Sequence, residues 1–296
     1  MRTILWATGT FGVVLAGLYI AGKREIARVE TVDVASVTPG VGARFAKTRS
    51  GRVHYLDVGE GPVVLLMHGS GRCIADWQEG VTERLSARHR VIAFDFYGFG
   101  FSDRNPRFTY GYDLWIQQAI DLLDALDIDS VTVVGHSVGG ALACMLAAAH
   151  AERVDHVVTI GTGMAIEPAQ FLPAIPGLGE LMMARAPIFG PAASRANREA
   201  LEAAYRIKGT RGALLTYIRR QMTVDGVRLL RGVFEEVKAP VLHVSGENDR
   251  NIPPETARKL TKRTRGSFVL IPDATHNVHT DAPVRLVEEI ERFLGT

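Results

Sequence analysis

The sequence predicts an α/β fold: a mostly parallel eight-stranded sheet with helices on both faces and a helical insertion. Three observations carry this. Short apolar runs recur along the chain, several of them continuous, as in strands buried on both faces. Segments of helical pattern separate them, as in a parallel sheet built from crossovers. The alternation then fails over residues 164–238, where helical pattern continues without a convincing strand.

From Ile4 to Gly22, 19 residues carry no charge, with Arg2 before them and Lys23, Arg24, Glu25 and Arg28 after. At about 1.5 Å per residue, such a helix matches the apolar thickness of a bilayer. Residues 1–28 are therefore expected to be a single-pass N-terminal membrane anchor or an uncleaved signal, with the side of the catalytic domain open. The alternatives are a cleaved signal peptide and a helix packed on the globular part. Residues 29–42 contain Pro and Gly without periodicity and read as a linker.

The expected strands begin with a hairpin, Ala43 to Lys47 and Val53 to Val58, around a turn at Arg49-Ser50-Gly51. Val63 to Met67, Val91 to Phe94, Val131 to Val134, Val157 to Ile160, Val241 to Val244 and Phe268 to Ile271 complete the sheet. Helical spacing covers Ile74 to Ala87, Tyr112 to Leu126, Gly140 to His150, Pro254 to Leu260 and Ala282 to Leu294. The core thus spans residues 43–163 and 239–296, and residues 164–238 form a helical cap or lid over the sheet's top edge. Within the cap, Ala203 to Ile207 and Ala213 to Met222 read as amphipathic helices.

Composition narrows the function. A chain of 296 residues, 47% hydrophobic, fills a large core. A net charge of +2 argues against a nucleic-acid partner. Cys73 and Cys144 make no disulfide framework. Neither C-x-x-C nor H-E-x-x-H occurs, so neither metal nor cofactor is expected.

The chemistry centres on Gly135-His136-Ser137-Val138-Gly139-Gly140. A G-x-S-x-G between a buried strand and a small-residue helix is a nucleophile elbow, which presents the Ser137 hydroxyl at the helix N-terminus. A serine nucleophile needs a base, and the base needs an orienting carboxylate. Asp249 and His276 each follow an expected strand, and the chain order Ser137, Asp249, His276 reads as nucleophile, acid, base.

The chain resembles the α/β-hydrolase-fold serine hydrolases of the lipase and esterase type with a helical cap. The resemblance runs from about residue 43 to the C-terminus and is weakest in the cap. His68-Gly69-Ser70-Gly71 resembles that family's oxyanion loop, and Asp95 to Ser102 its D-x-x-G-x-G-x-S loop. Gly246 to Asp249 resembles its acid turn, and His276 with Asp281 and Pro283 its terminal histidine segment. The resemblance implies that the backbone N–H groups of Ser70 and Val138 hold the oxyanion. Other members use the same scaffold to cleave C–C bonds or form peracids. Epoxide hydrolases and haloalkane dehalogenases resemble the loops too, but that would imply an aspartate where Ser137 stands.

Other residues receive plainer expectations. His136 is a packed or hydrogen-bonding histidine, His68 a brace for the oxyanion loop, and Asp95, Ser102 and Asp103 structural. His279, Glu247 and Asp273 are rivals to the triad that lack its spacing. Gly69, Phe171, Leu172, Met182 and Met183 are expected to line an apolar substrate channel. Together these give a membrane-associated carboxylic ester hydrolase, lipase-like, for a small-molecule or lipid ester with a hydrophobic acyl or alcohol part. The alternatives are a C–C bond hydrolase or perhydrolase, or a ligand-binding protein with a weakly active triad.

Overall fold

The computed structural model describes residues 2–38, 40, 42–163, 172–185, 194–221 and 223–296. After helix α1 (Arg2–Val29), strands β1 (Ala43–Lys47), β2 (Arg52–Val58), β3 (Val63–Met67) and β4 (Arg90–Phe94) follow, with short helices α2 (Ala75–Trp77) and α3 (Glu83–Leu85) between the last two. Helix α4 (Tyr112–Ala125) precedes β5 (Val131–His136), α5 (Val138–Ala149) and β6 (Val154–Ile160). Helices α6 (Leu178–Arg185), α7 (Arg195–Tyr205), α8 (Thr210–Gln221) and α9 (Val224–Glu236) intervene before β7 (Val241–Gly246). Helix α10 (Pro254–Thr264), β8 (Ser267–Ile271), α11 (Val278–Asp281) and α12 (Pro283–Leu294) close the chain.

The strands form one sheet in the order β1-β2-β4-β3-β5-β6-β7-β8. β2 is antiparallel to both β1 and β4, and the remaining pairs are parallel. The apolar strands are explained by two cores, one on each face. Val64 and Leu66 of β3 join α12's Leu286 and Ile290 in one, and Leu65 and Met67 join α5's Leu142 and Leu146 in the other. Alternate residues point to opposite faces, so a strand covered on both must be apolar throughout. Each such buried side chain contributes about 1.5–3 kcal/mol.

Among the expected helices that differ in extent, two show the cause. The pattern over Ile74 to Ala87 is split: Gln78–Thr82 forms a wider turn in which Glu79 and Gly80 leave helical geometry, and Gly80 takes φ 91° against the Pro283 side chain. The amphipathic pattern at Ala203 to Ile207 belongs to the end of α7, which begins earlier, behind an N-cap in which Ser194 Oγ accepts from Asn197 N at 3.1 Å. The helix stops at Tyr205, and Ile207 then pairs with Val32 as a parallel bridge.

The membrane anchor expected at the N-terminus is corrected. Among the described residues, no helix is long and apolar enough to cross a membrane. Helix α1 instead packs along α6: Gly22 lies against the backbone at Glu180 and Leu181, and Ile26 is buried in the main core. The contact face of the uncharged run is thereby used within the protein, and the same helix continues through charged Lys23, Arg24, Glu25 and Arg28. Beyond it, Glu30 is buried, and Val32 exchanges backbone hydrogen bonds with Arg206 and Lys208 at 2.9 Å each.

Candidate active site

The site lies at the carboxyl ends of the parallel strands, where open α/β sheets present their loops. Ser137 joins β5 to α5 with φ 54° and ψ −115°, a backbone state that non-glycine residues seldom adopt and that persists only where surroundings impose it. Here Ser137 N donates to Ile160 O at 2.8 Å, and Thr162 Oγ1 donates to Ser137 O at 3.0 Å. The flanking glycines are steric necessities. A β-carbon on Gly135 would lie 2.2 Å from Gly139 O, and one on Gly139 would lie 2.3 Å from Met67 O. Val138 opens α5, so its N–H is among the free donors of that helix's first turn.

Asp249 follows β7, and His276 follows β8. His276 Nδ1 lies 2.8 Å from Asp249 Oδ2. The other carboxylate oxygen, Oδ1, accepts from Asn251 N at 2.9 Å and Ile252 N at 2.8 Å. The carboxylate is thus fixed on three sides, and a charged acceptor at Nδ1 fixes the imidazole tautomer with Nε2 free to take a proton. Asp281 braces the histidine loop: its Oδ2 accepts from Thr275 N at 2.8 Å and Thr275 Oγ1 at 2.6 Å.

The loop Gly69-Ser70-Gly71 is held from below by His68. His68 Nδ1 donates to Gly69 O at 2.7 Å, and its Nε2 accepts from Phe96 N at 3.0 Å. Burial pushes the His68 pKa down, which suits this neutral pattern. Asp95, Ser102 and Asp103 serve turns. Asp95 accepts from Ile74 N, Phe101 N and His54 Nδ1, Ser102 Oγ donates to Asp95 O, and Asp103 accepts from Arg52 N. Glu247 and Asp273 meet at the surface, where Glu247 accepts from Asp273 N at 3.3 Å.

Behind the loop lies a polar cluster that sequence reasoning missed. Buried Arg72 donates to both oxygens of buried Asp76, at 2.6 and 2.7 Å. Asn197 of α7 donates to the same carboxylate at 3.1 Å, and His279 Nε2 stands 3.9 Å from it. Burial alone would raise the Asp76 carboxyl; His279 and Arg72 outweigh it and hold it well below the usual range. Arg72 precedes α2, so no helical spacing marks the pair in the sequence. Asn197, more than a hundred residues away, gave no signal.

His136 and His279 form part of the same wall, with ring centroids 4.3 Å apart. Burial lowers the pKa of both; for His136 the neighbouring His279 and His276 lower it further. His136 Nε2 lies 3.1 Å from His276 O, so it supports the histidine loop as a neutral, packed ring. Of the residues expected to line a channel, Gly69 lies against the His136 ring. Leu172 is 43% exposed, Met182 is half-buried and Met183 is buried in the main core. Phe171 lies outside the described residues.

Comparison with known proteins places this geometry in context. Residues 63–289 match the family model described as the alpha/beta hydrolase family. A 2-hydroxymuconate semialdehyde hydrolase of Pseudomonas sp. (strain CF600) is 32% identical over 221 residues, covering 71% of this chain and 78% of the relative. A 2-hydroxy-6-oxo-2,4-heptadienoate hydrolase of Pseudomonas putida is also 32% identical over 221 residues, covering 70% of this chain and 79% of the relative. The solved structure of a meta-cleavage product hydrolase from Pseudomonas fluorescens superposes with a TM-score of 0.68 at 25% identity, covering 85% of this chain and 97% of that one. The lipase expectation is corrected on this point, because the curated relatives are hydrolases of a semialdehyde and of an oxo-heptadienoate.

Proposed function

This chain belongs to the alpha/beta hydrolase family, and from that premise we propose that it is a serine hydrolase of carbon–carbon bonds. Its substrate is a small 2-hydroxy-6-oxo-dienoate or a semialdehyde of that kind. The observation that carries the bond type is the likeness to two hydrolases of such acids, over 78% and 79% of their lengths. The machinery is supported by the 2.8 Å pair of His276 and Asp249 and by the strained Ser137 elbow.

A ketone has no heteroatom to expel, so the departing carbon must carry a stabilised electron pair. In such a substrate the proton of the 2-hydroxyl moves to C5, which leaves a ketone at C2. Ser137 Oγ then adds to the C6 carbonyl as its proton passes to His276, and Asp249 stabilises the imidazolium. The N–H groups of Val138 and Ser70 receive the oxyanion, where each donor contributes about 3–4 kcal/mol. The C5–C6 bond breaks, and its electron pair runs through the C3–C4 alkene into the C2 ketone. The proton on His276 goes to that dienolate. Water, with His276 as base, cleaves the acyl ester on Ser137 and releases the acid. In this reading helices α6 to α9, between β6 and β7, act as a cap that keeps bulk water from this sequence.

The same residues would cleave a carboxylic ester, with an alkoxide in place of the dienolate. Product analysis separates the two. With 2-hydroxy-6-oxo-2,4-heptadienoate, nuclear magnetic resonance should detect acetate and 2-hydroxypenta-2,4-dienoate in equal amounts, formed by the wild type and not by Ser137→Ala. Unchanged dienoate beside rapid hydrolysis of p-nitrophenyl acetate would replace this reading with the ester hydrolase.

A further inference from the structure

The connection after α1 is tied to the oxyanion loop by a continuous set of buried polar contacts. Glu30 is 6% exposed, and its carboxylate sits at the start of α8. Glu30 Oε2 accepts from Gly209 N at 2.7 Å, and Oε1 accepts from Arg211 N at 2.7 Å. The first turn of α8 has no acidic residue of its own, so Glu30 supplies from afar the charge that a helix N-terminus favours. The Arg211 guanidinium lies 3.5 Å from Glu30 and donates onward to Tyr205 O at 2.6 Å and to Met183 O at 3.0 Å. Tyr205, 4% exposed at the end of α7, donates its hydroxyl to Gly71 O at 2.9 Å. Gly71 follows Ser70 directly and turns the loop with φ 70°.

We propose that Glu30 and Tyr205 are positioning residues that hold the Ser70 N–H where the oxyanion forms. Glu30 fixes the corner between α7 and α8, and through Arg211 it fixes the end of α7. Tyr205 passes that position to the Gly71 carbonyl. The inference rests on the serine-hydrolase reading above, in which Ser70 N–H is an oxyanion donor. Loss of one such donor costs about 10²–10³-fold in kcat. A loop that samples its working shape less often loses a fraction of that, about tenfold. Ground-state binding is left alone.

The test uses the full chain and an alkyl fluorophosphonate. Ser137 Oγ forms a bond to phosphorus, fluoride leaves with the P–F electron pair, and the serine proton passes to His276. The saturable rate of labelling, followed by intact mass, gives a maximal rate and a half-saturating concentration. Glu30→Ala and Tyr205→Phe should each lower the maximal rate about tenfold with half-saturation within about twofold, and the double variant should be no slower than the slower single, because coupled residues are not additive. Glu30→Gln, which keeps one acceptor oxygen, should recover part of the loss. A mere stability role would lower Tm and leave the labelling rate of the folded fraction unchanged. Wild-type rates in both single variants, or multiplicative losses in the double, would overturn this inference alone. Failure of the folded wild type to label would overturn the serine-hydrolase reading and this inference with it.

Discussion

The strand-end loops and the helices between β6 and β7 meet at one site, yet they are built by different rules. On the sheet side, each candidate residue follows a parallel strand by a few positions: Ser137 after β5, Asp249 after β7, His276 after β8. Their places follow from strand register and short turns. On the helical side, the polar contacts run across long sequence separations. Asn197 meets Asp76 across 121 residues, Tyr205 meets Gly71 across 134, and Arg211 meets Glu30 across 181. In the proposed reading the sheet side supplies the reacting groups, and the helical side is bonded to the loop at Gly71.

The comparison breaks first, and most strongly, at the sheet side. Ser137→Ala and Asp249→Asn should each lower kcat/KM by about 10⁴-fold or more while leaving Tm within a few degrees. A loss below about 100-fold in either, measured on the preferred substrate, would remove that residue from the triad.

The junction responds next, in stability as well as rate. Asp76→Ala leaves buried Arg72 without its bidentate partner, and breaking such a pair costs about 3–5 kcal/mol. Urea unfolding should show that drop in ΔG; a change under about 1 kcal/mol would mean that solvent reaches the guanidinium once the carboxylate is gone.

A buried histidine of the sheet gives a smaller, pH-dependent effect. His243 contacts Thr159 and Thr264 at 2.7 and 2.8 Å, and burial lowers its pKa to about 4. Its folded pKa lies below the unfolded value near 6.5, so the unfolded state binds the proton first. The stabilisation is fully present above about pH 6.5 and is lost as pH falls toward 4, by up to about 3 kcal/mol. His243→Gln should flatten that limb of the stability curve, and parallel curves for the two proteins would contradict it. At the far end of the scale, the exposed pair Arg195–Glu199 on α7 should tolerate Arg195→Ala with no measurable change in Tm or rate.

The same contrast explains what the sequence disclosed. All eight strands were legible: the central ones because a strand buried on both faces must be an unbroken apolar run, and β1 and β2 because a turn at Arg49-Ser50-Gly51 separates them as a hairpin. The elbow was legible because Gly135 and Gly139 have no room for a side chain. His68 was legible through its place before Gly69. The helical side was legible only as helix. The end of α7 was misplaced because the bridge from Val32 to Ile207 depends on a segment that reads locally as linker. Glu30 and Tyr205 carry no local pattern that marks their partners. The uncharged run at 4–22 misled for a related reason: length and lack of charge do not reveal that α1 has a protein surface, α6, to lie on.

The most direct test of the central claim is kcat/KM for 2-hydroxymuconate semialdehyde and for p-nitrophenyl acetate, measured side by side with wild type and Ser137→Ala. The account predicts a preference for the semialdehyde of about 100-fold or more, lost together with ester turnover in the variant. Faster turnover of the ester, or semialdehyde cleavage that survives Ser137→Ala, would contradict it.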